Sequence, residues 1–188
     1  MSREGWREIA ARSRARELAL QGVYQWLLHN APDRAGVEAP PPSRPVLDGQ
    51  PPQAQLHAIE ELLADASPEE HEKTKARPPV DTGFFTVLLQ GATGEAEELR
   101  TLFAPLLTRA VTELSPVEHA LLLLGAFELR RDIETPYRVV INEIIELAKV
   151  YGGVDGYKFV NGVLDRLAAC VRPEEVAATR GNRHRVRP

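Results

Sequence analysis

Residues 140–165 constrain the fold more than any other part of the chain. Val140, Ile144, Leu147, Ala148 and Tyr151 recur at three- and four-residue spacing, widened by Ile141 and Ile145, while Asn142, Glu146 and Lys149 fall on the opposite face. That period is a helix with one buried stripe. Gly152 and Gly153 end it. A second helix is expected over residues 155–171, with Val160, Val163, Leu164 and Leu167 inward and Pro173 after its end. A helix, a glycine turn and a helix leave no room here for a strand.

The rest of the chain repeats this helical grammar, and no run shows the period-two alternation of a strand. A first helix is expected over residues 13–28, with Ala15, Ala19, Gly22, Val23 and Trp26 on one face and Tyr24 pointing away from it. Arg12 and Arg16 then stand near a helix N-terminus, where basic charge opposes the macrodipole unless an anion arrives. Asp81 and Thr82 can cap a helix through Phe84, Val87, Leu88 and Gly91 that runs on toward Pro105. Residues 106–114 read as a further short helix. Ser115, Pro116 and Glu118 form a capping box with proline at the first helical position. The run Leu121–Leu124 that follows is apolar all round, which makes this helix central to the core.

Residues 31–80 break the pattern. They hold ten of the fifteen prolines, including three in a row at 40–42, and proline cannot occupy a helix interior. The expectation is a proline-rich insertion, extended over 31–52, with one short helix at 53–66 and a charged linker beyond. The organisation is therefore residues 1–30 as an arginine-rich start and first helix, 31–80 as insertion, 81–173 as the remaining helical domain, and 174–188 as a basic tail.

Charge is distributed unevenly. The net charge is −4, yet residues 1–16 carry +3 and residues 173–188 carry +2, so the body between carries −9. Such a chain attracts a polyanion to a patch, repels it elsewhere, and suits a basic partner. The single cysteine, Cys170, excludes an internal disulfide framework and fits a reducing, cytoplasmic setting. Its place at the end of an apolar helical run predicts a small buried hydrophobe. No apolar run approaches the roughly 18 residues of a membrane span, and no apolar stretch follows the N-terminal charges, so neither a membrane anchor nor a secretory leader is expected.

The five histidines lack zinc-ligand spacing, and no nucleophile elbow, Walker loop or dinucleotide fingerprint is present. No enzyme and no cofactor are expected. What remains is a set of flat aromatics beside cations. Arg12, Arg14 and Arg16 form one cluster. Asp155, Lys158 and Phe159 form a second, in which Phe159 sits about 90° from its helix's apolar centre by helical phase. Tyr151, before the glycine turn, is a third element. Unstacked RNA bases are held by such aromatics, and their phosphates by such cations. Half-buried packing explains Phe159 equally well at this level, and a solvated terminus explains the arginines. Glu143 lies at the edge of its helix's apolar stripe, either anchoring a partner's cation or marking a plain boundary.

Two blocks resemble the NusB family of RNA-binding transcription antitermination factors. One runs from Arg12 to Trp26, with its arginines and its Tyr24-x-Trp26. The other extends from about residue 99 to 173, including Pro136-Tyr137, Ile141-Asn142-Glu143, Glu146 to Lys149 and Lys158 to Asp165. The resemblance implies an all-α fold, a compact helical domain of two packed helical subdomains, here with a proline-rich insertion after the first helix. It implies binding of boxA-like single-stranded RNA together with NusE, a small-subunit ribosomal protein, within the RNA polymerase antitermination complex of ribosomal RNA operons. Carried over by position, RNA would meet Arg12, Arg14, Arg16, Arg109, Tyr151, Asp155, Lys158 and Phe159, and NusE would meet Tyr24, Glu118 and Glu143. The chain departs from the pattern at Ser13, where the family often has a cation, at Leu106 in place of an aromatic, and at Thr112 in place of an acid. The resemblance leaves a homodimer open. Two other readings are an RNA-recruiting domain serving a separate RNA methyltransferase and a helical adaptor with solvated arginines.

Overall fold

A computed structural model describes residues 3–30 and 79–185, and the side chains of 4–30 and 79–179. The expected insertion, including its short helix, lies almost wholly outside the described residues. Among the described residues seven α-helices follow in order: α1 (Arg3–His29), α2 (Thr82–Gly94), α3 (Ala96–Phe103), α4 (Pro116–Arg131), α5 (Tyr137–Tyr151), α6 (Gly156–Val171) and α7 (Pro173–Arg185). No strand occurs among the described residues. The chain divides into two compact units, residues 1–94 and 95–188.

In the first unit α1 packs on α2. Ala11, Ala15, Leu18, Ala19 and Val23 supply the inner face of α1, and Phe85, Leu88, Leu89 and Ala92 that of α2, all buried. Small residues on α1 let the large ones of α2 approach. Two expectations change here. The helix begins at Arg3 rather than at 13, with Glu4 in its first turn, so Arg12, Arg14 and Arg16 lie mid-helix and the macrodipole argument does not apply to them. Val87, expected inward, is 57% exposed, and Phe85 takes its place in the core.

Asp81 caps α2 as expected. Its Oδ1 accepts the Phe84 amide at 2.9 Å, satisfying one of the orphan donors of the first turn. Its own amide donates to the Ala11 carbonyl at 3.3 Å, which ties the start of α2 to α1. The expected continuation toward Pro105 breaks at Glu95, and α3 starts afresh.

The second unit is built around α4. Every residue from Ala120 to Leu129 is buried, and α3, α5 and α6 all pack on this helix. Each buried leucine contributes about 1.5–3 kcal/mol. Close crossing depends on Gly125: a Cβ there would lie 2.8 Å from Leu164 Cδ1 and 3.5 Å from Ile144 Cγ1, so α5 and α6 approach the helix where it has no side chain. The expected helix over residues 106–114 is absent. Two 3₁₀ turns, Ala104–Leu106 and Val111–Glu113, flank an irregular stretch instead. Pro105 lies within the first and interrupts helical hydrogen bonding there.

From Pro173 the chain is helical through Arg185. Arg172, at the junction, joins three elements. Its Nε donates to the Leu129 carbonyl at 2.6 Å, Nη1 to Thr135 at 2.7 Å, and Nη2 to Glu128 at 2.9 Å and also to Asp132. One buried guanidinium thus serves carbonyls of the last turn of α4 and of the loop after it. Three residues on, Glu175 Oε1 accepts the Tyr137 amide at 2.9 Å, serving the first turn of α5 where Pro136 offers no side-chain cap. Cys170, expected to be buried, is exposed; the inward face of α6 is filled by Val160, Val163, Leu164, Leu167 and Ala168.

Candidate nucleic-acid interface

The arginine trio and Tyr24 belong to the first unit, and the other expected site residues to the second. Within the first unit the three arginines are not alike. The Arg12 and Arg16 guanidinium carbons lie 4.1 and 4.9 Å from the centre of one ring, Phe84. Arg16 is only 3% exposed, whereas Arg12 and Arg14 are half-buried. Arg14 pairs with Glu17 one turn on. Tyr24, expected to point outward, is half-buried.

In the second unit the capping box at the start of α4 becomes part of a larger cluster. Glu118 Oε2 accepts the Ser115 amide at 2.9 Å while the Glu118 amide donates to Ser115 Oγ at 3.2 Å. The other oxygen of Glu118 accepts Arg109 Nη2 at 2.7 Å. Burial alone would raise the Glu118 carboxyl. The Ser115 bonds and the Arg109 charge outweigh it and hold the group below the usual carboxylate value, so it is an anion at neutral pH. The Arg109 guanidinium then lies 4.7 Å from the centre of the Phe159 ring, inside the range of a cation–π contact. Ser115, Glu118, Arg109 and Phe159 form one chain of contacts. Sequence position groups Glu118 with Tyr24 and Glu143 on a protein-binding face, yet its structural partner is the candidate RNA residue Arg109.

The glycine turn supplies the remaining residues. Gly152 has no room for a side chain, since a Cβ would stand 2.4 Å from the Ala148 carbonyl oxygen. The turn closes through Asp155 at φ 62°, a left-handed conformation that aspartate tolerates better than most residues. Asp155 is the only non-glycine residue with positive φ among those described. Its carbonyl accepts the Lys158 amide at 3.0 Å, starting α6 so that Gly156 is buried and Lys158 projects outward. Lys158 Nζ pairs with Asp155 Oδ1 at 2.7 Å, both side chains 63% exposed. An exposed pair of this kind is worth little, so Lys158 can exchange it for a phosphate at small cost. Tyr151, expected within the buried stripe of α5, is 38% exposed; the stripe is completed at its other end by Tyr137. Glu143 is half-buried on α5.

Two aromatics escaped the sequence reading. Phe84 was placed in the apolar face of its helix rather than beneath arginines. Tyr157 has Lys149 Nζ at 6.0 Å and Lys158 Nζ at 5.8 Å from its ring centre. The signal for Tyr157 was visible, an aromatic beside Lys158 at the glycine turn, whereas Phe84 is marked only by its place in the first turn after a cap, far along the chain from Arg12 and Arg16. Among the described residues no group of three His, Cys, Asp or Glu side chains could hold a metal ion, and no helix is long and apolar enough to cross a membrane.

An all-helical fold of two units, each carrying arginine on phenylalanine, defines a class of helical proteins with cation–aromatic surfaces. Comparison with known proteins makes it specific. The NusB family profile matches residues 47–169. A protein of Azoarcus sp. (strain BH72) named transcription antitermination protein NusB is 47% identical over 173 residues, 92% of each chain. One of the same name from Ralstonia nicotianae is 49% identical, over 91% of this chain and 90% of its own. A solved structure of T. maritima NusB aligns with a TM-score of 0.59 at 23% identity, covering 88% of this chain and 96% of that one; it bears on the fold alone. The chain belongs to the NusB family of transcription antitermination factors.

Proposed function

We propose that the chain binds boxA-like single-stranded RNA jointly with NusE and so enters the complex that carries RNA polymerase past terminators in ribosomal RNA operons. The observation that carries this reading is the Arg109–Phe159 pair, a guanidinium 4.7 Å over a half-buried ring, with Tyr151 and Lys158 exposed at the neighbouring glycine turn. Aromatic faces and mobile cations together are what unstacked bases and their phosphates require. Arg12 and Arg14, half-buried on α1, add positive charge in the first unit. Asp155 holds Lys158 until a phosphate replaces it.

NusE is the proposed second ligand, met by Tyr24, Glu118 and Glu143. The acidic body, −9 between the two basic ends, suits a basic ribosomal protein and speeds their encounter. Charge reversal tests this directly. Glu143→Lys is expected to weaken NusE binding in a calorimetric titration while RNA binding by the chain alone changes little. Unaltered NusE affinity in the folded variant would remove Glu143 from the interface.

A further inference from the structure

The first unit contains an aromatic that the RNA reading leaves without a role. Arg12 and Arg16 stand one turn apart on α1, and both guanidiniums rest on the Phe84 ring, at 4.1 and 4.9 Å. Two hydrogen bonds of Asp81 hold that ring in place. The Asp81 amide bonds the Ala11 carbonyl of α1 at 3.3 Å. The Asp81 carboxylate accepts the Phe84 amide at 2.9 Å. The first turn of α2 therefore sets Phe84 beside the arginines of the helix to which its own cap is tied.

The ring face is a weak negative pole, and a guanidinium is drawn to it more strongly where water is excluded. Arg16, 3% exposed, is such a case. Arg12 is more open. Each contact that fixes an arginine removes part of its about 2 kcal/mol of rotamer entropy, which RNA would otherwise have to remove on binding. The geometry points to Phe84 as a positioning residue for RNA: it holds the Arg12 guanidinium ready for a backbone phosphate, while buried Arg16 lends positive potential from below without contact. This rests on the RNA reading above. It divides the arginine trio into a contact residue, Arg12, a buried support, Arg16, and a half-buried neighbour, Arg14.

The test is anisotropy of a labelled boxA-like RNA over a salt series, with Phe84→Leu, Phe84→Tyr and Arg12→Lys, and thermal melts for each. Leucine keeps apolar bulk without a π face. Phe84→Leu should weaken binding about three- to thirtyfold and lower the slope of log K against log salt by about 0.7, one phosphate contact on a single strand. Phe84→Tyr should retain the affinity and slope of the unaltered chain. Arg12→Lys keeps the charge but loses the planar stack, so it should weaken binding on its own and add nothing to Phe84→Leu. Equal affinity and slope in Phe84→Leu, or an equal loss in Phe84→Tyr, would overturn the assignment. If Phe84→Leu does not fold, unchanged RNA affinity in Arg12→Lys does so alone. Absence of salt-dependent binding by the unaltered chain would instead overturn the RNA reading, and this role with it.

Discussion

Arg109 has two neighbours, and their competition sets how Phe159 can be used. Glu118 holds the guanidinium at 2.7 Å, and the guanidinium covers the Phe159 ring. A base reaching Phe159 either displaces Arg109 or stacks on its planar outer face, and both exploit the same ring. Phe159→Ala is expected to cost about 1–3 kcal/mol of RNA binding, read by anisotropy; a folded variant with undiminished affinity would remove Phe159 from the interface. A second residue-scale prediction concerns His119. Burial, aided by Arg100, whose Nε donates to His119 Nε2 at 3.0 Å, pushes this imidazole down to about 4. The unfolded chain, with an ordinary value near 6.5, takes up the proton first. Stability from the neutral histidine is therefore complete above about pH 6.5 and is lost as pH falls toward 4. His119→Gln should flatten the dependence of urea midpoint on pH in that window, and an unchanged dependence would contradict the assigned state.

At the scale of elements, helix ends decide more than helix interiors. Arg172 closes the end of α4 by donating to four carbonyls, and Glu175 opens α5. Arg172→Ala removes the guanidinium donors of the Leu129, Asp132 and Thr135 carbonyls, and an unpaired buried acceptor costs about 1–3 kcal/mol, so a loss of roughly 3 kcal/mol or more is expected in chemical denaturation. Arg172→Lys, a point charge without the planar fork, should recover only a minor part. A loss below about 1 kcal/mol, within the range of ordinary surface changes, would show that water replaces the guanidinium. Interiors were the legible part of the sequence. The capping box at Ser115 and Glu118, the buried run in α4 and the inward face of α6 follow from spacing alone, and the structure has all three. What spacing could not supply was long-range. Arg172 reads as an ordinary cation after a helix because its acceptors lie about forty positions away. Tyr151 and Cys170 share the phase of buried neighbours but sit near helix ends and are exposed. Residues 3–12 lack an apolar stripe, so their helix was invisible to periodicity, and Trp6 stands 63% exposed on it.

The whole molecule combines two units and a charge pattern of basic ends around an acidic body. The family's identity was readable because motif order survives along both units. Individual roles were less so: Phe84 and Arg16 share no motif, only a contact, and Glu118 belongs at once to a cap and to Arg109. A chain with a net charge of −4 should hold RNA modestly alone, with few phosphate contacts and a shallow salt slope. A basic partner bound to the acidic body would cancel repulsion and add contacts, so RNA and NusE should bind cooperatively, each strengthening the other by the same factor. The most direct test is fluorescence anisotropy of a short boxA-like RNA against the chain, with and without NusE, across a salt series and beside a scrambled RNA. The account predicts that NusE tightens binding to the boxA-like sequence and leaves the scrambled one weak. Binding that ignores both sequence and NusE, and disappears with salt, would contradict it and reduce the arginines to nonspecific charge.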